Sequence, residues 1–265
     1  MASLSAKLWS KSRVSSAFMK RYTTLLFDID DTLIQERFSV MHGLEQVSVA
    51  QGATYHDTDF TRWGELELDF WNRHRAGQIE VPAVYCDGGL DDYGRNRGEW
   101  LRAQRFIELF SADAVTLARA YELLEIFEMA LRKKVVPAEN LLSTLDYLAA
   151  KYTLLAVTDG VHDIAEHKLQ RAGVADHFAA VFSPLNTGVI KPRPDMLTPV
   201  FSQFSADPRQ YLLIGNSLSA DIQLASNVGI DSCLYDSWGE AGLIDDLDPK
   251  PTFVIHNLSE LRQFL

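Results

Sequence analysis

The chain has 265 residues, of which 47% are hydrophobic and 11% aromatic, and its formal net charge at pH 7 is −11. This composition supplies a packed core and excludes a disordered chain. The acidic balance argues against a nucleic acid polymer as partner, because phosphate backbones would be repelled. The cysteines, Cys86 and Cys233, lie far apart and indicate neither a disulfide framework nor a zinc site. A reducing cytoplasm is therefore the expected location.

The first 21 residues differ from the rest of the chain. They contain five Lys or Arg residues, six serines and no acidic residue, a composition typical of organellar transit peptides. We favour a basic surface extension before the first strand and keep an organellar location as the alternative. No apolar run reaches the roughly 20 residues of a membrane helix, so we expect no membrane partner.

The first predicted element is a buried strand within residues 22–29, where the run YTTLLFDI is short, apolar and rich in β-branched residues. Amphipathic helical patterns follow in segments 59–77, 97–110 and 112–134. In the last segment Leu117, Tyr121 and Leu124 fall on one helix face. Because no convincing strand interrupts them, we predict a helical domain over residues 36–135.

After residue 136 short apolar runs alternate with helical segments. The predicted strands are 153–158, 179–182, 211–215, 232–235 and 252–256, and the predicted helices between them include 163–173, 195–204 and 219–229. This alternation is typical of a doubly wound parallel sheet. We therefore predict an α/β fold, with a Rossmann-like core formed by residues 22–35 and 136–265 and an inserted α-helical domain.

The loop at residues 86–98, CDGGLDDYGRNRG, superficially resembles a calcium loop. It lacks the alternating ligands and the closing glutamate of that motif. We interpret it as a solvated loop rather than a metal site.

Asp28 and Asp30 lie two residues apart at the carboxyl end of the first predicted strand, where ligands bind in open α/β sheets. Two such carboxylates repel each other unless a cation lies between them or one is protonated. The arrangement suits a nucleophile and a general acid/base beside a hard divalent metal. Paired acids at a strand end are also common as simple turn residues, so the pair alone is weak evidence.

Four segments in order resemble the signatures of the haloacid dehalogenase superfamily. FDIDDTL resembles the first, and TLLAVTDG the second, with Thr158 as the hydroxyl that holds the phosphoryl group. VIKPRPDM resembles the third, with Lys191 as the cation between nucleophile and phosphate. IGNSLSADI resembles the fourth, with Asn216 and Asp221 at its two metal-associated positions.

The resemblance implies a Mg²⁺-dependent phosphatase with a phosphorylated aspartate intermediate. Asp28 would attack phosphorus, and Asp30 would protonate the leaving oxygen and then activate the hydrolytic water. Lys191 and Thr158, with the metal, would stabilise the charge on the phosphoryl oxygens. The implied metal-associated residues are Asp28, Asp30, Asn216 and Asp221. The implied substrate contacts are Thr158, Asp159, Gly160 and Lys191.

Two positions depart from the usual family pattern. Asn216 stands where an aspartate is common, so a neutral amide replaces a direct metal ligand and metal affinity should be lower unless Asp221 compensates. Asp159 stands where the second signature often has asparagine. Because an extra acid beside phosphate is unfavourable, its side chain should turn away or meet a donor on the substrate.

The helical insertion resembles the mobile cap that selects substrates in this superfamily. Segments 70–81, 102–110 and 158–178 are similar to the pyrimidine 5′-nucleotidase branch, whereas the loop at 86–98 looks like an insertion relative to it. The resemblance implies that the substrate is a small phosphomonoester, and a nucleoside 5′-monophosphate is the first candidate. We expect the protein to be a monomer or a homodimer. Trp63, Phe70 and Trp71 are candidates for stacking a base, although such aromatic stripes more often form the core of the cap.

Three other functions remain open at this point. The nearest is a phosphatase for a sugar phosphate or another metabolite. A haloacid dehalogenase proper is less favoured, because that chemistry needs no acid at Asp30. A non-catalytic protein that binds a phosphorylated metabolite has Asn216 as its only support.

Overall fold

The computed structural model describes residues 22–239 and 246–265, which form two compact units. The α/β unit runs up to Ile34 and resumes at Pro137–Leu265, and the helical unit is Gln35–Val136. The basic segment at residues 1–21, predicted to be an extension or a transit peptide, lies outside the described residues.

The described part of the α/β unit contains one parallel sheet of six strands. The strands are β1 (Thr24–Phe27), β2 (Thr153–Val157), β3 (Phe178–Phe182), β4 (Tyr211–Gly215), β5 (Asp231–Tyr235) and β6 (Phe253–Ile255). Their order in the sheet is β3-β2-β1-β4-β5-β6, with each neighbouring pair parallel. The predicted α/β class and parallel sheet are confirmed.

The sheet order places a topological switch point beside β1. From β1 the chain proceeds outward through β2 and β3, then crosses to β4 on the other side of β1 and continues to β6. Ligands bind in open α/β sheets at the carboxyl ends of the strands where the order reverses in this way. The end of β1 is therefore the position at which the fold alone predicts a functional site.

The described residues contain nine α-helices, of which the first four belong to the helical unit. They are α1 (Glu36–Ala50), α2 (Asp57–Arg75), α3 (Arg97–Leu109), α4 (Leu117–Lys133), α5 (Leu141–Ala149), α6 (His162–Arg171), α7 (Pro184–Thr187), α8 (Thr198–Gln203) and α9 (Gln223–Val228). The sequence patterns did not single out α1 or α5. Among the described residues, no helix combines the length and apolar character needed to cross a membrane.

The two central strands, β1 and β4, are the most deeply buried, whereas the outer strands β3 and β6 are only partly buried. Every residue of β1 and β4 is buried, as expected for a parallel sheet with helices on each side. On one face Leu26 and Leu213 pack against Val200 of α8 and Leu224 of α9. This packing holds the strand ends in fixed positions relative to one another.

The helical unit has its own core, built by α1 to α4. The ring of Trp63 lies 5.2 Å from each of the rings of Phe106 and Phe127, and Phe70 is fully buried in the same cluster. Trp71 packs at the edge of the cluster, where its Nε1 donates to Glu67 at 3.0 Å. The aromatic stripe is therefore packed as core, as expected for its helical spacing.

Helix α4 begins later than the sequence pattern predicts. Thr116 caps it, accepting a hydrogen bond from the backbone N–H of Arg119 at 3.3 Å. Ala114 has a left-handed φ of 51°, which breaks the helical path in the predicted segment 112–134. Tyr121 and Leu124 are buried on one face of α4, and Leu117 packs against the same core.

The loop at 86–98 is organised around one carboxylate. Asp91 Oδ2 accepts hydrogen bonds from the hydroxyls of Tyr85 and Tyr121. Its Oδ1 accepts from the backbone N–H groups of Tyr93 and Arg95, both at 2.9 Å. This carboxylate is thus bound by donors of the protein, which agrees with the interpretation against a calcium loop.

Candidate active site

Three neighbouring strands end at the candidate site. Asp28 directly follows β1, and its backbone N–H extends the ladder by donating to the Ile214 carbonyl of β4 at 2.9 Å. Thr158 follows β2 and Asn216 follows β4. Because parallel strands end at the same edge of a sheet, residues far apart in sequence converge here.

A buried ion cluster lies at this edge, and we call Asp28, Lys191 and Asp221 the site cluster. Lys191 Nζ donates to Asp28 Oδ1 at 2.6 Å and to Asp221 Oδ1 at 2.7 Å. The three residues are between 1% and 4% exposed. A buried ammonium of this kind is stable only when it is paired and hydrogen-bonded. The structure thus brings together three of the residues that the sequence motifs singled out.

Burial and charge act in opposite directions on the protonation of the site cluster. Burial raises the pKa of Asp28 to about 8, although Lys191 works against the rise. Burial by itself lowers the pKa of Lys191, but the carboxylates of Asp221 and Asp28 outweigh it and hold that pKa well above its usual range. Lys191 is therefore charged at neutral pH, whereas Asp28 holds a proton more readily than an ordinary aspartate does.

A tight turn after β1 orients Asp30. The backbone N–H groups of Leu33 and Ile34 both donate to the Ile29 carbonyl at 2.9 Å. Asp31 closes the turn in the left-handed region, with φ of 57°, a conformation that is uncommon outside glycine but tolerated by aspartate. Asp31 thus has a conformational role that the sequence did not reveal.

Lys168 contacts the Asp30 side chain, and the sequence motifs did not identify this residue. Its Nζ donates to Asp30 Oδ1 at 2.7 Å. Its position in the helical pattern could have identified it, because Lys168 lies on the buried face of α6 together with Ile164, Ala165 and Leu169. A lysine on the buried face of a short amphipathic helix needs an anionic partner nearby.

Thr158, Gly160 and Asp30 lie close together. Thr158 is buried, and its Oγ1 accepts a hydrogen bond from the backbone N–H of Gly160 at 2.9 Å. A Cβ placed on Gly160 would lie 3.1 Å from that oxygen and 3.2 Å from Asp30 Oδ2. The absence of a side chain at Gly160 therefore keeps the space beside both oxygens open.

The unusual acid of the second signature is accounted for by a backbone contact. Asp159 Oδ1 accepts a hydrogen bond from the backbone N–H of Lys191 at 2.9 Å. The carboxylate thus joins the loop after β2 to the segment that carries the lysine. The sequence predicted that this side chain would turn away from phosphate or meet a donor on the substrate, and the donor in the structure is the protein's own backbone.

Gly215 is required by the close approach of Asp221. A Cβ at Gly215 would lie 2.3 Å from Asp221 Cγ, a distance that real side chains do not adopt. Asp221 uses this space to bind Lys191 through Oδ1 and the backbone N–H of Ser217 through Oδ2, the latter at 3.0 Å. Sequence reasoning matched the segment that contains this glycine but assigned it no role.

The oxygen atoms at this edge fit a hard divalent cation. Among the described residues no group of three His, Cys, Asp or Glu side chains could hold a metal. Both oxygens of Asp221, a predicted metal-associated residue, accept hydrogen bonds from Lys191 and Ser217, and position 216 is an amide. The oxygens at the other predicted positions are the Asp28 carboxylate and the Asn216 amide oxygen, and the family resemblance implies the Asp30 backbone carbonyl as a further ligand. Such a set suits Mg²⁺, which keeps several of its waters.

Asn216 is accessible to an ion and its waters. It is exposed, and its Oδ1 accepts a hydrogen bond from Thr32 Oγ1 at 3.4 Å. A cavity of about 330 Å³ opens beside it, with Asp31, Ser219 and Trp238 also in its wall. The site edge therefore has room for a hydrated cation.

Comparison with known proteins agrees with this geometry. A family model for haloacid dehalogenase-like hydrolases matches residues 22–229. HAD-hydrolase YfnB of Bacillus subtilis is 27% identical over 93% of this chain and 97% of its own length. A crystal structure of YfnB bound to magnesium superimposes with a TM-score of 0.75 and 25% identity, covering 93% of this chain and 99% of that one.

Other relatives carry the names of specific phosphatases. Pyrimidine 5′-nucleotidase PynA of Streptococcus pneumoniae is 24% identical over 91% of this chain and 93% of its own length. Phosphoserine phosphatase of Thermus thermophilus is 24% identical over 89% of this chain and 96% of its own. With a family match over residues 22–229, which is most of its length, this chain belongs to the haloacid dehalogenase-like hydrolases.

Proposed function

We propose that this protein is a Mg²⁺-dependent phosphatase that hydrolyses a small phosphomonoester through a phosphorylated Asp28. The observation that supports this most directly is the site cluster, in which a buried lysine lies 2.6 Å from a carboxylate at the end of β1. A carboxylate fixed in this way is a nucleophile whose partner cation also attracts a phosphate dianion.

The proposed reaction has two steps. A carboxylate oxygen of Asp28 forms a bond to phosphorus while the bond to the leaving oxygen breaks and Asp30 donates a proton to that oxygen. Asp30 then removes a proton from water, which attacks phosphorus and releases Asp28 and inorganic phosphate. Lys191 and Thr158 hold the phosphoryl oxygens in both steps. Mg²⁺, held by Asp28, the Asp30 carbonyl and Asn216, would supply positive charge that stabilises the transferring group.

The proposed substrate is a nucleoside 5′-monophosphate. PynA is named as a pyrimidine 5′-nucleotidase, and the resemblance of segments 70–81 and 102–110 to that branch supports the same choice. Because YfnB is described as showing interdomain movement, we infer that the helical unit here acts as a cap. We also propose that the protein acts in the cytoplasm, as a monomer or a homodimer.

The phosphatase proposal is tested with p-nitrophenyl phosphate and millimolar Mg²⁺. We expect turnover by the wild type, loss of at least about a thousandfold in Asp28→Asn because an amide cannot attack phosphorus, and labelling of the wild type by beryllofluoride. Asp146→Asn is the matched control, since its side chain is 63% exposed. Equal turnover by wild type and Asp28→Asn would contradict the covalent mechanism.

A substrate screen separates the alternatives. It compares nucleoside monophosphates, sugar phosphates and amino-acid phosphates, since a relative is named phosphoserine phosphatase. If the protein prefers a sugar phosphate or an amino-acid phosphate, the proposed mechanism stands and the proposed substrate is wrong. Halide release from a 2-haloacid without phosphatase activity would support a dehalogenase, and binding of phosphate esters without turnover would support a non-catalytic role.

A further inference from the structure

The ion pair between Lys168 and Asp30 joins two residues 138 positions apart in the chain. The lysine side chain is 4% exposed, whereas that of Asp30 is 32% exposed. Burying a lysine is unfavourable in free energy, because the side chain loses rotamer freedom and its ammonium loses hydration. An exposed ion pair does not have this unfavourable contribution. In this pair a buried lysine of fixed position therefore holds a carboxylate that is partly exposed.

We propose that Lys168 is a positioning residue that fixes the Asp30 carboxylate in the orientation needed for proton transfer. The inference rests on the proposed function, in which Asp30 is the general acid and base. Lys168 acts through Asp30 and has no assigned contact with substrate.

The geometry divides the two oxygens of Asp30 between different neighbours. Lys168 binds Oδ1, and Oδ2 lies on the side of Gly160, where a Cβ would approach it to 3.2 Å. The hydroxyl of Thr158 lies at the same place, 3.1 Å from that Cβ position. The ammonium thus holds one oxygen and leaves the other turned toward the residues proposed to hold the phosphoryl group.

A carboxylate that is one third exposed has several rotamers of similar energy. Lys168 selects one of them, because its own side chain is confined by the packing of α6, in which Ile164, Ala165 and Leu169 are also buried. Support of this kind raises the fraction of enzyme with the acid in place, and an error of about 1 Å in such a group can cost about a hundredfold in rate.

The test compares Lys168→Met with Lys168→Arg, and uses Arg171→Met as the control. Methionine keeps the length of the apolar stem but removes the charge, and arginine keeps a donor. Arg171 is an exposed cation on the same helix. We expect kcat for phenyl phosphate to fall about 10- to 100-fold in Lys168→Met with KM changed less than about twofold, partial recovery in Lys168→Arg, and no change in Arg171→Met.

A leaving-group comparison and a double-mutant cycle distinguish positioning from a general structural role. The loss should be smaller for p-nitrophenyl phosphate than for phenyl phosphate, because the better leaving group needs less protonation. In an Asp30→Asn background, Lys168→Met should cost at most about a further twofold, because the group it positions is already gone. Thermal unfolding and circular dichroism establish that each variant is folded.

Equal losses on the two esters, or an undiminished loss in the Asp30→Asn background, would overturn the inference. So would wild-type kcat in Lys168→Met. If Lys168→Met does not fold, Lys168→Gln replaces it in the same cycle, and failure of both to fold would show that the lysine serves stability rather than positioning. Failure of the proposed function itself would appear differently, as an inactive wild type or a fully active Asp30→Asn.

Discussion

The two units of this protein each bury charged side chains, and they use them differently. In the α/β unit Lys191 lies between Asp28 and Asp221, so two carboxylates share one ammonium. In the helical unit Arg105 of α3 is paired with Glu67 of α2, and its guanidinium lies 5.0 Å from the ring centre of Trp63. The first group has one acid more than it has bases, and the raised pKa of Asp28 lets that acid hold a proton, whereas the second group pairs one acid with one base.

The difference in balance explains the difference in use. Burial of Asp28 at the strand end disfavours its charged form and so raises its pKa. A bound cation would favour the charged form, so this edge is suited to a metal and a reacting group. Burial lowers the pKa of Arg105 to about 10, with Glu128 opposing the decrease. That arginine remains charged at neutral pH and holds two helices together. In this protein the buried group with unequal numbers of acids and bases lies at the candidate active site, whereas the evenly paired group connects two helices.

Among the variants that compare the two units, the largest expected effect comes from overfilling the space beside the site cluster. Gly215→Ala would place a methyl group 2.3 Å from Asp221 Cγ, so Asp221 and Lys191 must move. We expect a loss of about a hundredfold or more in kcat/KM, measured with p-nitrophenyl phosphate. Gly64→Ala is the control in α2, where nothing lies within 4 Å. It should leave activity unchanged and stabilise the fold by about 0.5 to 1 kcal/mol, and equal activity in the two variants would contradict the role of Gly215.

The balanced pair of the helical unit should matter for stability. Arg105→Met removes a guanidinium that contacts Glu67, Trp63 and the Arg102 carbonyl, and we expect the free energy of unfolding to fall by about 3 kcal/mol. Chemical denaturation measures it. Arg209→Met, which breaks an exposed ion pair with Asp207, should cause no measurable change. Equal changes in the free energy of unfolding for the two variants would show that burial does not make the Arg105 pair more stabilising than the Arg209 pair.

The acid of the 86–98 loop should make stability depend on pH. Burial raises the pKa of Asp91, but hydrogen bonds from Tyr121 and Tyr85 outweigh it and lower that pKa from 3.8 to about 2. The stabilisation is therefore complete above about pH 4 and is lost as pH falls toward 2. Because Asp91 is partly exposed, Asp91→Asn should cost at most about 2 kcal/mol at pH 7. The difference from wild type should narrow in acid, and a constant difference from pH 7 to pH 2 would contradict this cause.

The smallest expected effect concerns the neutral member of the proposed metal site. Asn216→Asp adds a carboxylate beside Asp28, so the Mg²⁺ concentration that gives half-maximal activity should fall by about tenfold. Titration of activity with Mg²⁺ measures it. Gln203→Glu, which adds the same charge at an exposed position of α8, should leave the titration unchanged. An unchanged half-saturation in Asn216→Asp would place this residue outside the inner coordination shell.

Much of the fold followed from local patterns in the sequence. Short apolar runs predicted the strands because the central strands of a parallel sheet covered on both faces need buried residues at every position, as in β1 and β4. Amphipathic spacing predicted α2, α3 and most of α4, whereas α1 and α5 lacked a distinctive pattern. The start of α4 was misplaced because a cap at Thr116 and a left-handed Ala114 decide it, and the amphipathic pattern does not contain those conformations.

The sequence by itself determined which residue types stand after β1, β2 and β4, because these signatures are local and each follows a recognisable strand. The signature that carries Lys191 is also local, although α7 separates it from β3. Only the tertiary structure decided which of them meet. The contact of Lys168 with Asp30 spans 138 positions, and that of Lys191 with Asp28 spans 163. The need for glycine at Gly215 depends on where Asp221 comes to lie. The physical reason is that strand order and helix packing set distances between remote residues, and these are properties of the whole chain rather than of any short segment.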